Sequence, residues 1–230
     1  MAMLERRPLD ALRVLVFARA PEPGRTKTRL IPALGAEGAA RLHERLLEHA
    51  LDVARQVAPD QVELWCSPGS DHPFFKHCAE RFGCSLHRQR GGDLGARMRH
   101  ALEAGPFPAL VMGSDAPTLG VEDLIAAREA LAGGQDVALV PALDGGYVLL
   151  ATARPVPGLF EAIEWGSDRV LKQTRERARA RGLAWAELES RSDIDRPEDL
   201  VHCPPALLRG IGAPRESPIP EQSQVGPGFG

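Results

Sequence analysis

The chain has 230 residues, 43% of them apolar and 26% charged, and it carries a net charge of -3 at pH 7 with a pI near 6.2. This balanced charge argues against a nucleic-acid partner held by bulk charge, and no apolar run reaches the ~20 residues that span a bilayer. The lack of a signal-peptide pattern and of a C-x-x-C pair among the four cysteines predicts a cytoplasmic protein with reduced thiols and no membrane span.

Strand-like and helix-like segments alternate along most of the chain. In order, we predict a strand at 12–18, a helix at 36–57, a strand at 61–66, a helix at 71–81, a strand at 85–88, a helix at 93–104, a strand at 109–112, a helix at 121–131, strands at 136–141 and 147–151, a helix at 168–181, a strand at 184–188 and a short helix from 197. Such alternation is typical of an α/β fold, here a three-layer α/β/α sandwich on a mainly parallel sheet.

We expect one domain over residues 1–203, because a chain of this length commonly forms one large domain with or without an appendage. Residues 204–230 hold six Pro and five Gly among 27 residues and show no periodicity. This composition predicts an extended or weakly ordered C-terminal tail.

A basic loop follows the first predicted strand. It carries Arg19, Arg25, Lys27 and Arg29, and Gly24 lets the backbone approach a ligand closely. Basic loops at the carboxyl end of a strand in open α/β sheets bind phosphate-bearing ligands, so we predict a nucleotide site here. The alternative is a solvated loop with surface salt bridges, and neither a Walker pattern nor G-x-G-x-x-G is present.

Two acidic segments are candidate metal ligands. Asp115 follows the strand at 109–112 and lies among small residues, where its carboxylate suits Mg or Mn; the alternative is a helix N-cap. Asp193 and Asp195 precede Pro197, and this pattern is equally typical of a helix entry. We take Asp195 as the candidate that completes the metal site.

Two glycine-containing loops are further candidates. Asp144 opens the turn Asp144-Gly145-Gly146 and would bind a sugar hydroxyl or the metal, although a tight turn by itself explains the glycines. Gly92, Asp93 and Arg97 begin the helix at 93–104, where free backbone N–H groups would meet a base or a phosphate. The alternative is a plain loop capped by Asp93.

Five motifs occur in one order along residues 12–200: F-A-x-A-P-x-P-G-x-x-K-T-R-L, G-D-L-G-x-R-M, G-S-D-x-P-T-L, D-G-G-Y and D-I-D-x-P-E-D. The ordered set resembles the bacterial DUF2064 proteins, which are regarded as glycosyltransferases of the GT-A type. The group is similar in fold to nucleotidyltransferases such as the molybdenum-cofactor and 2-phospholactate guanylyltransferases. The resemblance therefore implies a nucleotide-diphospho-sugar transferase fold.

The resemblance also implies roles for individual residues. The nucleotide would be bound by Ala18, Arg19, Ala20, Gly24, Arg25, Lys27, Arg29, Gly92, Asp93 and Arg97. Asp115 and Asp195 would hold Mg or Mn, because the second Asp of the common D-x-D is missing beside Asp115. Asp144, Gly145 and Gly146 would border the acceptor or sugar pocket. Apart from the resemblance, we expect Asp115 and Lys27 to be catalytic, with Asp144 as the acceptor base if one is needed.

We therefore expect a metal-dependent transferase that uses an activated nucleotide. Glycosyl transfer from a nucleotide sugar is the first hypothesis, and nucleotidyl transfer from a nucleoside triphosphate, with release of pyrophosphate, is the second. A nucleotide-binding protein without catalysis is the third. The small-molecule acceptor is unassigned, and the sequence leaves the oligomeric state open.

Overall fold

A seven-stranded sheet forms the centre of the computed structural model, which describes residues 12–211. Its strands are β1 (Arg13–Arg19), β2 (Val62–Ser67), β3 (Ser85–Arg88), β4 (Ala109–Gly113), β5 (Val137–Pro141), β6 (Tyr147–Thr152) and β7 (Trp185–Glu187). Six of the seven residues of β1 are buried. Such a continuous apolar run is typical of a parallel strand covered on both faces.

The strands lie in the order β3-β2-β1-β4-β6-β5-β7. β1 pairs in parallel with β2 and β4, β2 with β3, and β5 with β7. Only β6 runs antiparallel to its neighbours β4 and β5, because the tight turn at residues 142–146 returns the chain directly after β5. The predicted α/β fold with a mainly parallel sheet is confirmed.

Among residues 12–211, six α-helices and two 3-10 turns accompany the strands. The helices are α1 (Ile31–Val57), α2 (Pro73–Phe82), α3 (Leu94–Glu103), α4 (Val121–Ala132), α5 (Val170–Ala180) and α6 (Pro205–Leu208), and the 3-10 turns are Thr28–Leu30 and Pro197–His202. The first helix begins earlier than the predicted residue 36, with a non-helical break at Gly35, whose φ is +71°. Apolar periodicity could not reveal the short turn that precedes this break.

The helices cover both faces of the sheet. Val14 and Val16 of β1 pack in one apolar cluster with residues of α1, α2 and α4. Leu15 and Phe17 point to the other face and pack with residues of α3 and α5. Because successive side chains of a strand alternate between faces, one strand contributes to both layers, and the predicted three-layer sandwich follows.

The start of the predicted tail packs against α1. Arg45 donates from Nη1 to the carbonyl oxygens of Leu207, at 2.9 Å, and Arg209, at 2.6 Å. Residues 212–230 of the tail and residues 1–11 of the predicted domain lie outside the described part, so the boundary after residue 203 stays a prediction. Among residues 12–211, no helix combines the length and apolarity needed to cross a bilayer.

Candidate active site

The candidate site lies at the carboxyl ends of β1 and β4. These strands are neighbours, but the chain leaves β1 towards β2 on one side and leaves β4 towards β5 on the other, so the loops that follow them diverge and leave a crevice. Ligands of open α/β sheets bind at such a switch in strand order. A cavity of about 560 Å³ occupies this crevice.

The basic loop after β1 folds around Thr26. The buried Thr26 hydroxyl donates to the carbonyl oxygen of Ala20 at 2.5 Å and accepts from the backbone N–H of Glu22 at 3.3 Å. Lys27, which follows, has a φ of +51°, a left-handed conformation that is rare outside glycine. Thr26 thereby anchors a turn that directs Lys27 into the interior, while Arg25 and Arg29 remain exposed.

Asp115 is held between two cationic or ionisable side chains. The Lys27 Nζ lies 3.0 Å from Oδ2 of Asp115, and the Nδ1 of His43 lies 3.5 Å from Oδ1. The other ring nitrogen of His43 is 2.9 Å from the carbonyl oxygen of Arg19. Burial by itself would raise the pKa of Asp115, but Lys27 and His43 hold that pKa well below its usual range.

The segment with Asp193 and Asp195 is fastened to the same place. The backbone N–H of Ile194 donates to the carbonyl oxygen of Asp115 at 2.8 Å, and Lys27 donates from Nζ to the carbonyl oxygen of Ile194. Asp195 forms an ion pair with Arg29. The basic loop, the end of β4 and the segment before Pro197 therefore meet at one point.

A second cavity of about 400 Å³ adjoins the first, because Arg29 and Asp195 line both. Asp144 and Asp193 line it as well. Burial, followed by the nearby charges of Asp144 and Asp115, raises the pKa of Asp193. The Asp193 carboxylate therefore belongs to the candidate site. Only Asp195 was chosen from the sequence, but residues two apart in an extended segment lie on the same side, so both carboxylates can face one cavity.

The carboxylates fit a divalent cation only in part. Among residues 12–211, no group of three or more His, Cys, Asp or Glu side chains is arranged to hold a metal ion by itself. Mg²⁺, however, is commonly bound by one or two carboxylates together with substrate phosphates. Asp115 and Asp195 fit that pattern, provided that the cation competes with Lys27 and Arg29 for their oxygens.

Most of the predicted nucleotide and metal residues come together. Those that line the first cavity are Ala18, Arg19, Arg25, Lys27, Arg29, Arg97, Asp115 and Asp195. Four others do not line it: Ala20 is buried, Gly24 and Gly92 are exposed, and Asp93 caps α3 by accepting from the N–H of Ala96 at 2.7 Å. The cap that was the alternative for Asp93 is thus present.

The glycines after Asp144 have a packing role. A Cβ on Gly145, whose φ is +91°, would lie 2.2 Å from the carbonyl oxygen of Asp168, and the N–H of Gly146 donates to Oδ1 of Asp144 at 2.9 Å. The turn that was the alternative interpretation is therefore present. Asp144 itself faces the second cavity, while neither glycine lines it.

The residues of the first cavity that sequence reasoning missed include His43 and Gln89. His43 is 3% exposed on the inner face of α1, and Gln89 directly follows β3. A single signal pointed to His43: it is a polar side chain between Leu42 and Leu46 on the apolar face of a helix, although such a histidine is more often a core residue.

Comparison with known proteins bears on this site. The model of a family described as an uncharacterized protein conserved in bacteria, DUF2064, matches residues 50–167, half of the chain. The chain belongs to the DUF2064 family. This DUF2064 protein is also 31% identical over 185 residues to the 3-phospho-D-glycerate guanylyltransferase of Phenylobacterium zucineum (strain HLK1), a match that covers 76% of this chain and 82% of the relative.

Solved structures share the fold. A protein of Desulfovibrio desulfuricans G20, assigned as a nucleotide-diphospho-sugar transferase, has a TM-score of 0.75 and 31% identity over 83% of this chain and 84% of its own. The glucosyl-3-phosphoglycerate synthase of Mycobacterium tuberculosis, solved with Mn²⁺, UDP and its product, has a TM-score of 0.52 and 14% identity over 87% of this chain and 77% of its own, a likeness of fold alone. The DUF2064 protein has a nucleotide-diphospho-sugar transferase fold and is a transferase of the nucleotide-dependent class.

Proposed function

We propose that this DUF2064 protein is a metal-dependent nucleotidyltransferase, which moves a nucleoside monophosphate from a nucleoside triphosphate to an anionic acceptor and releases pyrophosphate. The observation that carries the proposal is the charge of the first cavity. Its lining includes five Arg or Lys side chains and only two Asp. A triphosphate carries more negative charge than the diphosphate of a nucleotide sugar, so the excess of positive charge in this cavity attracts it more strongly.

The basic side chains act on the leaving group in this proposal. An acceptor oxygen attacks the α-phosphorus, a new P–O bond forms, and the bond between the α-phosphorus and its bridging oxygen breaks. The electron pair departs on pyrophosphate, whose growing charge is met by Arg25, Lys27 and Arg29. Because the turn around Thr26 already holds Lys27 in place, this stabilisation needs little reorganisation during the reaction.

A divalent cation has a defined role and a defined place in this proposal. Asp115 and Asp195 would hold Mg²⁺ or Mn²⁺ together with phosphate oxygens of the nucleotide. The bound cation supplies Lewis-acid polarisation of the phosphoryl group being transferred. The complexes of the M. tuberculosis synthase with UDP and Mn²⁺ or Mg²⁺ support a divalent cation in this fold.

The acceptor would enter the second cavity, beside Arg29 and Asp195, which border both cavities. A phosphate-bearing acceptor, such as the 3-phospho-D-glycerate in the relative's name, needs no general base, because a phosphate monoester loses its second proton at a pKa of about 6. Asp144 would serve as base only for a hydroxyl acceptor. With a phosphate acceptor, we propose that Asp144 orients the substrate.

Glycosyl transfer from a nucleotide sugar is the second candidate. It is favoured by the assignment of the D. desulfuricans protein, which is also 31% identical to this chain. The shared fold serves both reactions, since each needs a nucleotide pocket, a cation and an adjoining acceptor pocket. The two differ in the leaving group, which is pyrophosphate in one reaction and a nucleoside diphosphate in the other.

The leaving group provides the test. The purified protein is incubated with GTP, ATP, CTP or UTP and 3-phospho-D-glycerate, or with UDP-glucose or GDP-mannose and the same acceptor, each with Mg²⁺ or Mn²⁺. Acceptor-dependent pyrophosphate release supports nucleotidyl transfer, and nucleoside diphosphate release from a sugar donor overturns it in favour of the second candidate. Nucleotide binding with neither product points to a binding protein without catalysis.

A further inference from the structure

The side chain of Gln89 bridges the ends of two strands at the edge of the first cavity. Gln89 directly follows β3, and its backbone N–H donates to the carbonyl oxygen of Cys66 at 2.9 Å. Its side-chain Nε2 donates to the carbonyl oxygens of Trp65, at 2.8 Å, and Ala18, at 3.4 Å. The half-buried carboxamide is thus held in one orientation beside the nucleotide cavity.

The orientation decides which atom the cavity receives. Both partners of the Gln89 side chain are carbonyl oxygens, which only accept, so the amide nitrogen must face them and Oε1 must face away. Within residues 12–211, Oε1 receives no hydrogen bond. Gln89 therefore offers one fixed, vacant acceptor to a ligand in the cavity.

Arg97 offers donors at the same cavity. Its Nε donates to the carbonyl oxygen of Gly91 at 3.2 Å, which restrains the guanidinium. Arg97 and Gln89 both line the first cavity. The position of Gly91 requires glycine, because its φ is +142° and a Cβ there would lie 2.7 Å from the backbone nitrogen of Arg97. Within the described part of the chain, the terminal nitrogens of Arg97 form no hydrogen bond, so they can bind a ligand.

We propose that Gln89 and Arg97 select guanine, so that the nucleotide substrate is a guanosine phosphate; this inference rests on the nucleotidyltransferase function proposed above. Guanine presents O6 and N7 as a pair of acceptors that an arginine binds in bidentate fashion, and it carries N–H donors at N1 and N2 for the Gln89 oxygen. Adenine has an amino group in place of O6 and no N–H at N1. The pyrimidines have no N7.

The test compares the dissociation constants of GTP, ATP, UTP and CTP by calorimetry in the presence of Mg²⁺. The wild-type protein is expected to bind GTP at least about tenfold more tightly than the other three, as one good bidentate contact provides. Gln89→Met and Arg97→Met should each remove most of that preference while the affinity for UTP changes less than about twofold. Arg99→Met, an exposed arginine on the same helix, is the matched control and should leave all four constants unchanged.

Two variants are needed because Gln89→Met also removes the link between the ends of β1 and β2, whereas Arg97→Met does not. An equal loss of affinity for all four nucleotides in both variants would overturn the inference, since Gln89 would then only join strands and Arg97 would bind the common phosphates. If the wild-type protein prefers another base, or none, the guanine inference is overturned. Pyrophosphate release would in that case still support the proposed nucleotidyltransferase function. Failure to bind any nucleotide would overturn both.

Discussion

The ammonium group of Lys27 lies 3.0 Å from the carboxylate of Asp115 and also donates to the carbonyl oxygen of Ile194. One side chain, only 4% exposed, therefore joins three segments that are far apart in the sequence. A buried ammonium is costly unless it is paired and hydrogen-bonded, and here both conditions are met. The same side chain lines the first cavity.

Replacing Asp115 is expected to remove most of the activity. Asp115→Asn should lower turnover at least ~10²-fold, by analogy with the loss of one preorganised electrostatic partner at an active site. Pyrophosphate release at saturating GTP measures the effect. Asp60→Asn is the matched control, because Asp60 is exposed just before β2, at the amino ends of the parallel strands and away from the candidate site. Turnover near that of the wild type in Asp115→Asn would contradict the assigned role.

His43 is expected to matter for stability as well as for the position of Asp115. In His43→Leu the partly buried carbonyl oxygen of Arg19 loses its 2.9 Å partner. A buried polar group left without a hydrogen bond costs about 1–3 kcal/mol. Urea denaturation of His43→Leu and His43→Gln measures the change, and the glutamine variant should lose less because its amide can still donate. Equal losses in the two variants would contradict this account.

The ion pair between Arg191 and Asp123 is expected to hold the segment with Asp193 and Asp195 in place. Two hydrogen bonds of 2.8 and 3.0 Å join them, and Asp123 is buried. Arg191→Met should therefore destabilise the protein by about 2–3 kcal/mol, because a buried carboxylate loses its partner. Arg175→Met breaks a more exposed pair with Glu187 and should cost less than about 1 kcal/mol. Similar losses in both variants would show that Asp123 is satisfied without Arg191.

Gly145 is expected to contribute to the stability of the fold and not to contact an acceptor. In Gly145→Ala the new Cβ would lie 2.2 Å from the Asp168 carbonyl oxygen, in a left-handed conformation that favours glycine. The melting temperature should fall by several degrees, which corresponds to more than about 1 kcal/mol. Gly69→Ala, where a Cβ meets nothing within 4 Å, is the control and should melt within about 2 °C of the wild type. An unchanged melting temperature in Gly145→Ala would contradict the packing role.

Buried thiols should make stability depend on pH at the alkaline end. Burial raises the pKa of Cys66 and of Cys78 to about 12, whereas an unfolded thiol ionises near pH 8.5. The folded state therefore keeps protons that the unfolded state loses, and the free energy of unfolding should fall as pH rises from about 8.5 towards 12. Below pH 8.5 these thiols should have no effect.

Thiol labelling gives the direct measurement. At pH 8, a thiol reagent should leave the buried Cys66, Cys78, Cys84 and Cys203 of the native protein unmodified and react with all four in denaturant. The two labelling levels, together with the unfolding free energy at pH 8 and pH 10, check both parts of the prediction. Rapid labelling of Cys66 in the native state would contradict it.

The basic loop shows how far local patterns reach. The apolar run before Arg19 identified β1, and the cations after it pointed to the edge where phosphates bind, because strand ends and charge are visible in sequence. The direction of the Lys27 side chain was not visible. It depends on the left-handed turn around Thr26 and on carbonyl and carboxylate partners from elsewhere in the chain.

The alternating elements and the residues at strand ends could be inferred from the amino-acid sequence, since continuous apolar runs and a 3.6-residue period are visible within one segment. The tertiary structure alone decided that β6 enters antiparallel between β4 and β5, that Asp193 joins Asp144 and Asp115, and that Lys27 reaches Ile194, 167 residues away. Such contacts follow from the order in which strands pair across the whole sheet. Periodicity within a segment carries no information about that order.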